Sequence, residues 1–347
     1  LEPGSSIGIS NDNHMIVGCN STNFGGVYIY GMTTFDINWD KSSFISNGAI
    51  SVDNSIDSNT NSGNYTTMLG TKTWTQLAKL TAATQKNDHY FGQSTAMMDG
   101  TAIISSHGEE SVYIYESSSY LSSPGTGSIS ASNGLRTAWT MKATLKASNG
   151  QNNDHFGSVL SISHRNKPST RSVLAISAPN HATKTGAVYI FGYNIGTKLW
   201  SQQQILTASD GSQYRYFGSS IATGPHTLAI STKDSTSTLQ RSSVYVFNKG
   251  TISTSTTTTT TTTTWIQDPT LIAPLDAKHG DGFGSTLSLI VSYNDLLSET
   301  GHNNNDFMKT VIACGTLKKG VVYVYRRSSV GVTSWILQSK LTPDGSS

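Results

Sequence analysis

The sequence predicts an all-β chain, a propeller of five four-stranded blades built from one repeated unit. Two observations predict it. A pattern recurs five times along the 347 residues: Trp, a Leu six residues on, a polar turn, Phe-Gly, an apolar pair of strands, then a Val-Tyr-aromatic strand. No stretch carries the 3.6-residue apolar period of an amphipathic helix. Fixed-period units of this size build stacked or radial architectures.

The copies begin at Trp74, Trp139, Trp200 and Trp265, and a further copy is split between Trp335 near the end and Pro3 to Tyr30 at the start. Phe91, Phe156, Phe217 and Phe283 recur at intervals of 65, 61 and 66 residues, the length of one propeller blade. Within a copy the strands read directly. Phe91 to Met97 is a first strand, Ala102 to Ser105 a second, and Val112 to Tyr115 a third. Trp74 to Leu80 is a fourth strand. Their alternating, β-branched and aromatic composition suits half-buried strands. Gly92, Gly157, Gly218 and Gly284 follow each Phe, where a side chain would block a sharp turn or a close approach.

The Phe-Gly pair, the small-residue strand after it, Ile176-Ser177-Ala178-Pro179 and the Gly-x-Val-Tyr-aromatic strand resemble FG-GAP repeats. Such repeats form the propellers of integrin α-subunits and of many secreted or surface proteins. The resemblance implies one propeller domain over 1–347, interrupted by insertions at 31–73, 116–138 and 248–264. It says little about function, since propellers host unrelated activities. Phe44 to Ser51 faintly echoes the Phe-Gly strand. A degenerate blade there, or residues beyond the chain, would raise the count to six or seven.

Composition narrows the function. Charged residues are 13% of the chain and the formal net charge is +2. With no basic stripe among aromatics, a nucleic-acid role has no electrostatic basis. No apolar run approaches the ~20 residues of a membrane-spanning helix. The chain begins within a repeat at strand one and ends after strand four, a whole number of blades. It is therefore expected to be a processed form or a piece of something longer.

Sugars point to an extracellular setting. Asn20-Ser21-Thr22 and Asn64-Tyr65-Thr66 are N-glycosylation sequons in expected loops. Thr256, Thr257, Thr258, Thr259, Thr260, Thr261, Thr262, Thr263 and Thr264 form an unbroken run that resembles an O-glycosylated stalk. Such a run is not expected to form a packed element. Its bland reading is a tolerated repeat expansion in an idle loop.

Cys19 and Cys314 read as the same repeat position in the first and last blades. A disulfide between them would staple a five-blade ring, an entropic effect of about 4–5 kcal/mol in the chain-entropy model. The alternative is two small buried residues, both reduced.

Catalytic and metal constellations are not read in the sequence. The connections after strand one lack the alternating carboxylates of a calcium loop. Asn11-Asp12-Asn13 holds a lone acid, and Asp295, Glu299 and Asp306 are scattered. Asp88, Asp154 and Asp281 recur before Phe-Gly and are expected to bond local backbone amides. Arg215 stands in that region of the fourth copy. No cofactor is expected.

The three insertions fall between strands three and four, on one face of the disk. The expectation is a non-catalytic extracellular binding or structural module, part of an adhesin, surface or matrix assembly. It would act through protein contacts on a propeller face, without nucleic acid or membrane insertion. The alternative is a lectin-like propeller with repeated shallow sites between blades.

Overall fold

A computed structural model describes residues 6–10, 14–19, 25–34, 72–82, 89–118, 138–163, 172–233, 241–254, 260–269, 271–292, 309–327 and 335–343. They form five four-stranded antiparallel sheets, each a simple meander. The first holds β1 (Ser6–Ile9), β2 (His14–Cys19), β3 (Gly26–Thr34) and β4 (Lys72–Thr81). The second holds β5 (Phe91–Met98), β6 (Thr101–Ser106), β7 (Ser111–Ser117) and β8 (Trp139–Leu145). The third holds β9 (Leu160–Ile162), β10 (Val173–Ala178), β11 (Ala187–Asn194) and β12 (Leu199–Leu206). The fourth holds β13 (Ile221–Thr223), β14 (Thr227–Ser231), β15 (Val244–Thr254) and β16 (Thr260–Gln267). The fifth holds β17 (Phe283–Ser292), β18 (Lys309–Thr316), β19 (Val322–Arg327) and β20 (Trp335–Leu341). The expected five-blade all-β architecture is thus the one observed.

Strand alternation sends each sheet's two faces to different neighbours. In the third sheet Leu174, Ile176, Tyr189 and Phe191 pack toward the second, with Ile103 and Ile114. Val173, Ala175, Val188 and Ile190 pack toward the fourth, with Ile230 and Tyr245. Central strands are therefore apolar on both faces, and β10 is buried along its whole length. Each apolar cluster bridges two consecutive sheets. No sheet has a core of its own.

One aromatic motif recurs at these joints. Phe156 meets Tyr189 edge to face with ring centroids 5.4 Å apart, Phe217 meets Tyr245 at 5.5 Å, and Phe283 meets Tyr323 at 5.7 Å. Edge-to-face contact places the positive ring rim over the negative face of its partner. The residue before each of these Phe, and before Phe91, is left-handed: Tyr90, His155, Tyr216 and Gly282 have φ of 53°, 59°, 49° and 68°. The glycine after Phe is left-handed too, at 85°, 98°, 94° and 74° for Gly92, Gly157, Gly218 and Gly284. The chain thus kinks on both sides of each Phe, which drives the ring between sheets.

Two expectations need correction. The insertion at 248–264 is not a loop throughout. Strand β15 runs on to Thr254 and pairs with Thr260 to Thr264 in unbroken register. Threonine is β-branched and stiff at χ1, so a run of it extends a hairpin. Similarly, 31–73 is shortened at both ends, because β3 reaches Thr34 and β4 starts at Lys72. The faint echo at Phe44 to Ser51 lies outside the described residues.

Candidate functional site

The densest polar chemistry lies where the second and third sheets meet, at the ends that carry the Phe-Gly turns. A short 3-10 turn at His107–Glu109 follows β6 and places Glu110 in a left-handed conformation. Glu110 Oε1 accepts the His155 N–H at 2.9 Å and Oε2 the Phe156 N–H at 2.6 Å. Burial pushes the Glu110 carboxyl up, against the downward pull of the Phe156 and His155 amides. At the next joint main-chain atoms take over this role: Lys184 O and Thr185 O accept from Tyr216 and Phe217. These two Phe-Gly turns are thereby each tethered to a turn of the preceding sheet.

Around Glu110 sit four imidazoles. His107 is buried, stacked on Tyr90 at 4.6 Å, with the His155 ring 5.2 Å away. Burial, then repulsion from His155, lowers its pKa to about 4. His89 and the Tyr113 hydroxyl both meet the Glu109 carboxylate. His181 Nδ1 lies 2.7 Å from Asp154 Oδ2, which also accepts the Gln151 N–H at 2.8 Å. Among the described residues, no three His, Cys, Asp or Glu side chains are placed to hold a metal ion. Of the cluster's hydrogen bonds those of Glu110 cross between sheets, while the His89–Glu109 and His181–Asp154 pairs join turns flanking one sheet.

A second device was missed in the sequence. The Tyr189 hydroxyl donates to Asn149 at 2.8 Å, Tyr245 to Asp210 at 2.6 Å, and Tyr323 to Asp276 at 3.1 Å. These acceptors stand four residues after Leu145, Leu206 and Ile272, a spacing visible in the chain. Burial raises the Tyr189 and Tyr245 pKa values to about 12.

A groove of about 160 Å³ lies between the third and fourth sheets, lined by Phe191, Tyr193, Gln203, Gln204, Lys249 and Trp265 among others. Gln204 clamps its wall: Oε1 accepts the Trp265 N–H at 2.7 Å, and Nε2 donates to Trp265 O at 2.9 Å.

The expected site residues divide as follows. Phe91, Phe156, Phe217 and Phe283 are buried at the joints. Trp265 is buried and Trp74 is exposed, while Trp139, Trp200 and Trp335 are half-buried. All five lie on fourth strands. Asp154 and Asp281 accept the local amides of Gln151 and Lys278, as expected, and Asp88 lies outside the described residues. Buried Arg215 instead donates to Arg241 O at 2.5 Å. Asn20, Asn64, Thr256 to Thr259, Asn11 to Asn13, Asp295, Glu299 and Asp306 also lie outside them.

The ring staple is corrected. Cys19 and Cys314 are both free and buried. Their repeat positions differ by two: Cys314 aligns with Ile176, and Cys19 with Ala178. Cys314 lies in the cluster shared with the fourth sheet, alongside Ala229 and Val246.

Residues 74–120, 139–191 and 200–247 match the FG-GAP repeat family. Each matched stretch starts on the fourth strand of one sheet and takes in the first three strands of the next, so repeat and sheet are one strand out of phase. Among solved structures, a Lactobacillus plantarum protein is similar at 11% identity and TM-score 0.43, with 98% of this chain and 71% of that one covered. Sqt1 of Saccharomyces cerevisiae is similar at 11% identity and TM-score 0.40, over 99% of this chain and 63% of that one. KlAtg21, in complex with the coiled-coil of AgAtg16, is similar at 12% identity and TM-score 0.33, over 97% and 98%. No curated protein sequence matches the chain. No helix among the described residues is long and apolar enough to cross a membrane.

Proposed function

We propose that this chain of FG-GAP repeats is a non-catalytic extracellular binding or structural module, part of an adhesin, surface or matrix assembly, working through protein contacts on a propeller face. What supports the reading is where its acids and histidines are engaged. Glu110 holds the amides of the neighbouring sheet's turn, and Asp154 and Asp281 close their own turns. These groups hold a scaffold together. The sequons at Asn20 and Asn64 and the threonine run support the extracellular part. Mass spectrometry of the protein from its native source tests that part: glycans at these positions are expected, and bare peptides at all of them would overturn it. Cross-linking on intact source cells tests the partner part; recovery of only unlinked chain would count against it.

The groove between the third and fourth sheets favours a second reading, carbohydrate binding. Aromatic rings beside side-chain amides can offer a sugar both an apolar face and hydrogen bonds. Glycan-array binding that Gln203→Ala abolishes would support it, and an unlabelled array would remove it.

A further inference from the structure

Two neighbouring joints can be compared position by position beside the Trp of a fourth strand. The earlier sheet contributes two residues there. One follows the aromatic residue of its third strand, Gly192 in the third sheet and Asn248 in the fourth. The other stands three residues after its Trp, Gln203 after Trp200 and Asp268 after Trp265. The later sheet contributes the residue paired with its own Trp, Lys249 with Trp265 and Arg327 with Trp335.

Between the fourth and fifth sheets the three side chains meet. Arg327 Nη1 donates to Asn248 Oδ1 at 3.2 Å, and Asn248 Nδ2 donates to Asp268 Oδ2 at 3.4 Å. Arg327 Nη2 lies 3.9 Å from that same carboxylate oxygen. Asp268 is 3% exposed. A carboxylate this buried needs a cation and hydrogen bonds beside it.

Between the third and fourth sheets the same position is the groove of about 160 Å³, lined by Gly192, Gln203 and Lys249. Gly192 offers no side chain where Asn248 offers an amide. Uncharged Gln203 turns back on its own strand, its Nε2 donating to Ser201 Oγ at 2.7 Å. No Asp or Glu is among the described residues that line the groove. In the first sheet the equivalent glycine, Gly31, is covered by Leu77, whose Cδ1 would lie 2.7 Å from an added Cβ. The groove therefore keeps the cation of the next joint without its carboxylate.

We propose that the groove takes a sugar acid, a single pyranose ring of the uronate kind, whose carboxylate lies against Lys249 and Gln203 as that of Asp268 lies against Arg327 and Asn248. The volume favours one small unit over a chain segment, being below the ~300–1,000 Å³ of sites for drug-sized ligands. The bare backbone at Gly192 leaves room for the ring, and Ser201 and Asn194 offer hydroxyl and amide partners to its hydroxyls. The proposal rests on the carbohydrate reading of this groove and adds the charge of the sugar.

Calorimetric titration of the purified chain with methyl glucuronide, methyl glucoside and an acidic tripeptide tests it. Saturable glucuronide binding is expected, with the neutral glucoside weaker by about tenfold or more, since a hydrogen bond to a charged group is at stake. Lys249→Met should remove that preference. Gln203→Asp, which supplies the groove with a carboxylate of its own, should abolish glucuronide binding while the melting temperature holds. Equal binding of glucuronide and glucoside would overturn the charge and leave the carbohydrate reading standing. Binding of neither sugar would overturn both, and tighter binding of the tripeptide would replace the sugar with an acidic protein partner. Glucuronide binding that ignores both substitutions would place the ligand elsewhere and overturn the proposal.

Discussion

Glu110 of the second sheet holds Phe156 of the third: its Oε2 accepts the Phe156 main-chain N–H at 2.6 Å. The bond ties a side chain on one sheet to the residue whose ring fills the joint with it. The His155 N–H is held by the other oxygen. Glu110→Ala would leave both amides without their acceptor. An unmet buried polar group costs about 1–3 kcal/mol. A loss of that size is expected in urea unfolding. Glu110→Gln, which keeps one carbonyl acceptor, should lose less.

Gly218 separates a backbone requirement from a packing one. Its φ is +94°, and an added Cβ would lie 2.8 Å from Ser177 and 3.0 Å from Val188. Strain and overpacking together predict that Gly218→Ala destabilises by about 2–4 kcal/mol. At Gly26 the nearest atom to an added Cβ is the end of the Lys79 side chain, at 3.8 Å. Gly26→Ala is expected to stay within about 0.5 kcal/mol of the parent, as innocuous substitutions do. Melting curves of the two variants side by side check both.

Acid should loosen the joint between the second and third sheets. His107 has its pKa lowered to about 4 in the folded chain, from 6.5. Between those values the unfolded chain binds the proton and the folded chain does not, so stability rises with pH. The contribution is complete above pH 6.5 and is lost as pH falls toward 4. Glu110, whose carboxyl is pushed up from 4.5, acts with the opposite sign just above that pH. Replacing His107 with Gln should flatten the decline between pH 6.5 and 4 in a stability-versus-pH series. An unchanged slope would assign the decline to other groups.

The thiols should be silent in the native protein. Cys314 is buried, and that burial raises its pKa to about 12. The thiolate is the reactive form, so alkylation at neutral pH should be negligible until unfolding. Intact mass should show two reduced cysteines, with both labelled only in denaturant.

The five-sheet architecture was legible because its cause is local and repeated. A Phe-Gly pair at a fixed distance from Val-Tyr-aromatic marks the same joint each time, and Phe156, Phe217 and Phe283 occupy equivalent positions. Asp154 and Asp281 were legible as turn residues for the same reason. The stretch 248–264 was expected to be a loop throughout because of its threonine-rich composition, while β-branching at Thr260 to Thr264 favours strand pairing. The cysteines were misread by two positions, an error that alternation hides because both residues share a face. The tethering by Glu110 was not legible at all. It depends on a left-handed residue in one repeat meeting amides 45 and 46 positions later in the chain. The tyrosine hydroxyl partners were readable in the spacing from Leu206 to Asp210, but only once a rim was known to bring them together.

The one-strand offset between repeat and sheet bears on how such a chain can change over generations. A unit running from a fourth strand through the next three strands closes one sheet and opens another. Duplicating or deleting one such unit in register leaves every sheet with four strands and every joint with its Phe, Gly and Val. The number of blades can then drift by whole units without exposing a raw strand edge.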